Sequence, residues 1–358
     1  MNTSRQTDPA ADAAYLWEDY RPTSLIELPG LARLTKVGRV FVKAEGERPL
    51  GNFKVLGGMV AGLRSLARAA GVATLQELDA NRTRRQPLPR LICASDGNHG
   101  LSVAAAARRA GTEASIYLAV GVNRIRAERI EAFGGDIVWI SGTYDDAVRE
   151  AAAAAARGEG LLIADTTADP NDAVVRDVMA GYQLLTQELV AQFRDDVKDR
   201  PSHLFVQAGV GGLASAMADG LGDLVRRVLV VEPESAACVA QALAAGRPVH
   251  VPGDLQTAAE MLACGVVSTP ALEILQRHNA RSVLVDEDHL RRAVDVLREC
   301  GGPATTPSGA TGLAGLLHVA AHPRLRAEHR LDPASNVLLV ATEAALRPFA
   351  RSISTHRD

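Results

Sequence analysis

Short runs of β-branched and apolar residues alternate with alanine-rich helical segments along most of this chain. The runs predicted to be strands are "RVFVKAE" (39–45), "RLICAS" (90–95), "ASIYLAV" (114–120), "DIVWIS" (136–141), "HLFVQAG" (203–209), "RVLVVEP" (227–233), "SVLVDE" (282–287) and "NVLLVAT" (336–342). Continuously apolar strands separated by helices indicate parallel sheets that are covered on both faces. The pattern therefore predicts an α/β fold.

The length of 358 residues exceeds that of one average domain, so we expect two lobes. The compact strand–helix series in the middle of the chain predicts a smaller, mobile lobe at 90–169. The larger lobe is predicted to combine 21–89 with 170–358, and residues 1–20 to form an N-terminal tail whose first dozen residues are loose. Each lobe would be a largely parallel sheet flanked by helices, with the active site in the cleft between them.

Composition excludes several classes of function. A formal net charge of -3 and an aromatic content of 4% give no basic surface or stacking platform for nucleic acid, and no attraction to an anionic membrane. No apolar run reaches the ~20 residues that span a bilayer, and the N-terminal residues do not resemble a secretory signal, so a cytoplasmic protein is predicted. The four cysteines and nine histidines show no spacing typical of a disulfide framework or metal site. Pairing of Cys238 with Cys264 is left open.

Glycine-bearing stretches follow several of the predicted strands, where open α/β sheets bind their ligands. They are "ASDGNHG" (94–100), "QAGVGGLASA" (207–216), "VATEAA" (340–345) and, at a helix start, "TPSGATGLAGL" (306–316). The second suits an anion, because glycines expose backbone N–H groups at the positive end of a helix. It lacks the lysine and hydroxyl residue of a nucleotide P-loop, whereas Glu232 lies at a spacing that leaves a dinucleotide site open.

The stretch "GNFKVLGG" (51–58) places Lys54 in an apolar run. A lysine at a helix start can simply pack its stem and keep its ammonium in water. In an apolar site, however, an amine with a lowered pKa is a nucleophile towards aldehydes. Together with a phosphate-binding loop, such an amine predicts pyridoxal phosphate held as a Schiff base.

The order of these stretches resembles fold type II pyridoxal-phosphate enzymes, the tryptophan-synthase-β type, and within it the diaminopropionate ammonia-lyases. The resemblance runs from about Arg21 to Glu343 through "RPTSLIELPGLARL", "VFVKAEGERPLGNFKVLGG", "ASDGNHG", "GGDIVWISGTYDDAV", "ADTT", "DVMAGYQLL", "QAGVGGLASA", "EMLACG", "SGATGLAGL" and "LLVATE". It implies a small amino-acid substrate and a cofactor bound mainly by the larger lobe.

The resemblance also implies roles for particular residues. Lys54 would bind the cofactor covalently and later remove the substrate α-proton, and Phe53 would pack beside the cofactor ring. Asn98 would donate to the phenolic oxygen, and Thr342 would meet the ring nitrogen. The phosphate would be bound by the backbone N–H groups of Gly209, Val210, Gly211, Gly212 and Leu213.

Two acids and two serines are predicted on the substrate side. Asp96 would be a second acid/base, although an N-cap of the following helix is the structural alternative. Asp165 would bind the distal ammonium of the substrate, with an Asx-turn as its alternative. Ser95 and Ser308 are further candidates for substrate binding. Because "TPSGA" lacks the glutamate that often precedes SGA in the family, the substrate stays open.

These features predict α,β-elimination from a β-substituted amino acid, with 2,3-diaminopropionate giving pyruvate and ammonia. The alternatives are a β-replacement synthase, a serine/threonine-type dehydratase, a non-catalytic pyridoxal-phosphate or amino-acid binding protein, and a nicotinamide-dependent oxidoreductase. The stereochemistry of the substrate is not predicted. A homodimer is the commonest assembly and is expected here.

Overall fold

The computed structural model describes residues 9–80, 87–95, 97–193, 200–222 and 224–345. Two sheets with helices packed on their faces form this part of the chain, which confirms the predicted α/β fold. None of the described helices combines the length and apolarity needed to cross a bilayer.

The strands and helices follow one another in the alternation that the sequence predicts. The strands are β1 (Leu25–Glu27), β2 (Arg39–Ala44), β3 (Leu91–Ala94), β4 (Ala114–Ala119), β5 (Gly135–Ile140), β6 (Leu161–Leu162), β7 (His203–Gln207), β8 (Arg227–Pro233), β9 (Arg281–Val285) and β10 (Asn336–Ala341). The helices are α1 (Pro9–Leu16), α2 (Pro29–Thr35), α3 (Lys54–Ala69), α4 (Leu75–Ala80), α5 (Asn98–Ala110), α6 (Arg124–Ala132), α7 (Tyr144–Ala156), α8 (Ala173–Gln192), α9 (Gly212–Gly220), α10 (Cys238–Ala245), α11 (Thr269–Arg277), α12 (Glu287–Glu299), α13 (Pro307–Ala321) and α14 (Pro323–His329).

The larger sheet has six strands in the order β1-β2-β10-β7-β8-β9. Only the β1–β2 pair is antiparallel among its described pairs. Two neighbouring residues of β10 show why the strands of this sheet are apolar throughout. Leu338 belongs to the apolar cluster that contains side chains of α3, α8 and α9, whereas Leu339 belongs to the cluster that contains side chains of α2, α12 and α13. Both faces of this sheet are therefore covered.

The smaller sheet is parallel and has the strand order β5-β4-β3-β6. Helices α5 and α6 cover one face, and α7 covers the other. Ala147, Ala151 and Ala154 of α7 are fully buried against Ile92 and Tyr117. The alanine run at 151–156, which the sequence explains by helix propensity, thus also allows α7 to pack closely on the sheet.

The glycine pair behind Lys54 lets α3 approach two other helices. A Cβ atom on Gly57 would lie 2.5 Å from Tyr182 Cε1 on α8, and one on Gly58 would collide with Ser102 on α5. Any side chain at these positions would push α3 away from its neighbours. This packing fixes the start of α3, and with it Lys54, close to both sheets.

A cluster of buried charges lies near the segment that leads to α3. Lys43 of β2 is fully buried, and its Nζ lies 2.7 Å from Glu188 Oε2 on α8. Arg48 contacts both Glu188 and Glu45 at 2.8 Å. Burial by itself would raise the pKa of Glu188, but Arg48 and Lys43 outweigh burial and lower it. These ion pairs connect β2, α8 and the loop before Lys54.

The first dozen residues, which are predicted to be loose, include the start of a helix. Residues Pro9–Leu16 form α1, where Leu16 is buried and Asp12 lies 2.6 Å from Arg64 on α3. An apolar contact and an ion pair therefore hold this helix on the fold. The strands of the smaller sheet lie within the range predicted for the smaller lobe, while the lobe boundaries stay a prediction.

Candidate active site

One cavity is lined by residues that follow the carboxyl ends of β3, β6, β7 and β10, as expected for parallel sheets. The predicted site residues that line it are Phe53, Lys54, Ser95, Asn98, Asp165, Gly209, Val210, Gly211, Gly212, Leu213, Ser308 and Thr342. Asp96 lies outside the described residues. The structure thus brings together every predicted site residue that it describes, while their individual roles stay predictions.

Lys54 and Asp165 form an ion pair in this cavity. Lys54 Nζ lies 2.5 Å from Asp165 Oδ2, and 22% and 10% of the two side chains are exposed. Burial by itself would lower the pKa of Lys54, but the Asp165 carboxylate outweighs it and raises this pKa. Burial would raise the pKa of Asp165, and the Lys54 ammonium lowers it. The expectation of a lowered lysine pKa is therefore wrong, and the amine must release its proton before it can act as a nucleophile.

Residues 209–213 form the turn between β7 and α9, and Gly211 adopts a φ of 92°. None of the five amide groups in this turn donates a hydrogen bond to another of the described residues. A Cβ atom on Gly209 would lie 2.9 Å from Cys264 Sγ, so the close approach requires glycine there. Unpartnered N–H groups at the positive end of a helix fit a phosphate group.

Asn98 begins α5 and contacts a carboxylate that follows β10 of the larger sheet. Its Nδ2 donates to Glu343 Oε2, while Thr306 donates its hydroxyl to Glu343 Oε1. A carboxylate only accepts hydrogen bonds, so this contact fixes which way the amide of Asn98 points. One N–H of the amide remains for the cavity. The orientation suits the predicted donation to a phenolic oxygen.

Thr342 follows β10 and accepts a hydrogen bond from Gln207 Nε2 at 3.1 Å. Its hydroxyl hydrogen is therefore available to donate into the cavity. The backbone N–H of Phe53 donates to Thr342 O at 3.0 Å, which ties the residue before Lys54 to the end of β10. A neutral hydroxyl donor at this place suits an unprotonated ring nitrogen.

Ser95 and Ser308 are both buried, and their hydroxyl oxygens accept hydrogen bonds from backbone amides. Ser95 Oγ accepts from Gly97 N at 2.9 Å and Gly100 N at 2.8 Å. Ser308 Oγ accepts from Met261 N at 3.1 Å. These contacts shape the turns at the cavity wall.

The cavity is also lined by residues whose role the sequence does not indicate: His99, Tyr144, Tyr182, Gln207, Met261, Leu262, Cys264 and Glu343. His99 and Glu343 directly follow predicted site residues, and this adjacency was the available signal. The Tyr182 ring lies 4.9 Å from the Phe53 ring between centroids. Cys238 and Cys264 do not form a disulfide bond with each other, so the pairing that the sequence leaves open is not made.

A sequence profile of the family described as "Pyridoxal-phosphate dependent enzyme" matches residues 16–343. The chain belongs to this pyridoxal-phosphate enzyme family. Membership confirms the resemblance noted from the sequence and the predicted cofactor.

Relatives of known activity agree with this assignment. Diaminopropionate ammonia-lyase of Escherichia coli (strain K12) is 31% identical over 341 residues, which cover 90% of this chain and 84% of that protein. The crystal structure of the Escherichia coli diaminopropionate ammonia lyase with D-serine has a TM-score of 0.84 and 28% identity, and the match covers 94% of this chain and 88% of that one. A biosynthetic L-threonine dehydratase of Escherichia coli (strain K12) is 30% identical over 320 residues, covering 88% of this chain and 56% of that protein.

The cavity of this pyridoxal-phosphate enzyme fits its cofactor. Lys54 offers an amine for the aldehyde, and the unpartnered amides of residues 209–213 offer donors for the phosphate. Asn98 and Thr342 offer a donor each for the phenolic oxygen and the ring nitrogen. Among the described residues, no cluster of histidine, cysteine and acidic side chains could hold a metal ion.

Proposed function

We propose that this chain is a carbon–nitrogen lyase that releases ammonia from 2,3-diaminopropionate and yields pyruvate. The observation that carries the proposal is the Lys54–Asp165 pair, which lies in one cavity with the unpartnered amides of residues 209–213. A lysine for the cofactor and a carboxylate for a second amine are what this substrate requires. The similarity to diaminopropionate ammonia-lyases supports the same substrate.

When bound, pyridoxal phosphate supplies an electron sink for negative charge at the substrate α-carbon. Lys54 Nζ would hold the cofactor and, once displaced by the substrate amine, accept the α-proton. Asp165 Oδ2 would then be free of its lysine partner and would bind the β-ammonium. Asp96 would be the second acid/base and would accept the α-proton from a substrate of the opposite α-configuration, while the β-ammonium would leave as ammonia with the protons it already carries.

Several residues would position rather than react. Ser95 and Ser308 would border the substrate, and Phe53 would pack beside the cofactor. The smaller lobe would move to close the cleft where Asn98 of α5 contacts Glu343 after β10. Closure would keep water away from the reacting carbon.

A dehydratase acting on serine or threonine is the second candidate, favoured by the similarity to L-threonine dehydratase. The D-serine held by the related ammonia lyase structure supports hydroxyl-bearing ligands as well. A β-replacement synthase would use the same groups but transfer a second nucleophile. The homodimeric state and the cytoplasmic location also stay proposals, and the general frequency of twofold dimers supports the first.

The test is a measurement of 2-oxo acid and ammonia released from 2,3-diaminopropionate, serine and threonine, with and without added nucleophiles. We expect turnover of 2,3-diaminopropionate, independent of the nucleophile. Lys54→Ala should lose both turnover and the visible absorption of the bound cofactor. The exposed lysine variant Lys36→Ala should keep both. Turnover of serine and threonine alone would favour the dehydratase.

A further inference from the structure

His99 lies in the first turn of α5, is 3% exposed and lines the active-site cavity. Its Nε2 lies 2.7 Å from the backbone oxygen of Ile163. A carbonyl oxygen only accepts, so Nε2 carries the hydrogen and donates it. Burial lowers the pKa of His99, which keeps the ring neutral. Nδ1 therefore presents a lone pair and needs a donor.

No donor for Nδ1 exists among the described residues, although the atom is buried. The carboxylate of Asp165 is close enough to raise the pKa of His99, against the effect of burial, whereas the Lys54 ammonium lowers it. A carboxylate cannot donate, so Asp165 cannot satisfy Nδ1. A buried acceptor without a partner is costly, and an acceptor beside an anionic group suits a ligand that is both cationic and a donor.

We propose that His99 Nδ1 accepts a hydrogen bond from the ammonium group on the substrate β-carbon, next to Asp165, and so determines the preference for amine-bearing substrates. The inference rests on the proposed function. An ammonium group donates a charge-assisted hydrogen bond, which is stronger than the one from the β-hydroxyl of serine. The methyl group of alanine donates none. The three amino acids therefore form a graded series for this atom.

Two variants test the two nitrogens of the His99 ring separately. In His99→Gln, the amide nitrogen reaches the place of Nε2 and keeps the donor to Ile163 O, but nothing replaces Nδ1. In His99→Asn, the shorter side chain places its amide oxygen near Nδ1 and keeps the acceptor. Both variants are tested as cofactor-loaded full-length protein. KM and kcat are measured for 2,3-diaminopropionate and serine, and Kd for alanine is measured from the cofactor absorption.

We expect His99→Gln to raise the KM for 2,3-diaminopropionate about ten- to a hundredfold, because a hydrogen bond to a charged group is lost. The KM for serine should rise only about two- to tenfold, and the Kd for alanine should not change. His99→Asn should recover most of the loss. A two-dimensional proton–nitrogen spectrum of the imidazoles, assigned by the signal missing in His99→Gln, should show hydrogen on Nε2 and a shift of Nδ1 with 2,3-diaminopropionate only.

Equal effects on all three amino acids would show that His99 only supports the fold of α5, and a hydrogen on Nδ1 would show that the acceptor does not exist. Either result overturns the inference. Normal turnover of 2,3-diaminopropionate with unchanged KM in His99→Gln would overturn it while leaving the proposed function intact. Binding of 2,3-diaminopropionate that depends on His99, without release of 2-oxo acid, would support the inference and overturn the proposed function.

Discussion

Asp165→Asn removes the charge beside Lys54 while keeping the size of the side chain. Exposed ion pairs contribute about 0.2–1 kcal/mol, and breaking fully buried ones costs about 3–5 kcal/mol. With 22% of Lys54 and 10% of Asp165 exposed, this pair lies between those limits. We take about 2 kcal/mol for the interaction between Asp165 and the Lys54 ammonium. Losing it would make the fraction of unprotonated Lys54 roughly thirtyfold larger in the variant than in the wild type.

The direction in which Asp165→Asn changes the pKa of Lys54 follows from the contacts of this lysine. Asp165 raises the pKa of Lys54 and burial lowers it, so losing the carboxylate leaves burial to favour the free amine. Only the free amine reacts with an aldehyde. Asp165→Asn should therefore attach pyridoxal phosphate about thirtyfold faster at neutral pH. The rise of this rate with pH should occur at lower pH than in the wild type.

The assay mixes cofactor-free protein with pyridoxal phosphate and follows the visible absorption between about pH 6 and pH 10. Asp169→Asn is the matched control, because Asp169 is an exposed acid in the same loop. Its rate should equal that of the wild type. An Asp165→Asn protein with an unchanged rate and pH profile would refute the reasoning, because Asp165 would then not hold the amine protonated.

Two further predictions concern the phosphate loop and the buried charges. Gly211→Ala should weaken pyridoxal phosphate binding about tenfold in an absorption titration, since a side chain at φ 92° costs about 1–2 kcal/mol and shifts the loop amides. Gly246→Ala is the control, because Gly246 also has a positive φ of 71° and no atom lies near the position of an added Cβ. An equal loss of cofactor affinity in this variant would contradict the role of the loop. Glu188→Ala should lower the free energy of unfolding by about 3–5 kcal/mol in urea denaturation, because Lys43 and Arg48 lose a shared carboxylate. A loss of under about 1 kcal/mol would show that the cluster behaves like a surface pair.

Features that depend on neighbours in the sequence were predictable. The apolar runs of β7, β8 and β10 mark strands because each of these strands is buried on both faces. The turn at 209–213 is readable because glycines between a strand and a helix expose backbone amides. Strands β1 and β6, with three and two residues, are too short to produce a periodic signal.

The α/β alternation, the phosphate-binding loop and the position of Lys54 at a helix start follow from the sequence, because each is encoded within a few consecutive residues. The charge state of that lysine depends instead on contacts between distant parts of the chain. Its partner Asp165 is 111 residues away, and Asn98 meets Glu343 across 245 residues. The direction of a pKa shift depends on the balance between burial and a nearby charge, and both quantities exist only once distant segments have packed together.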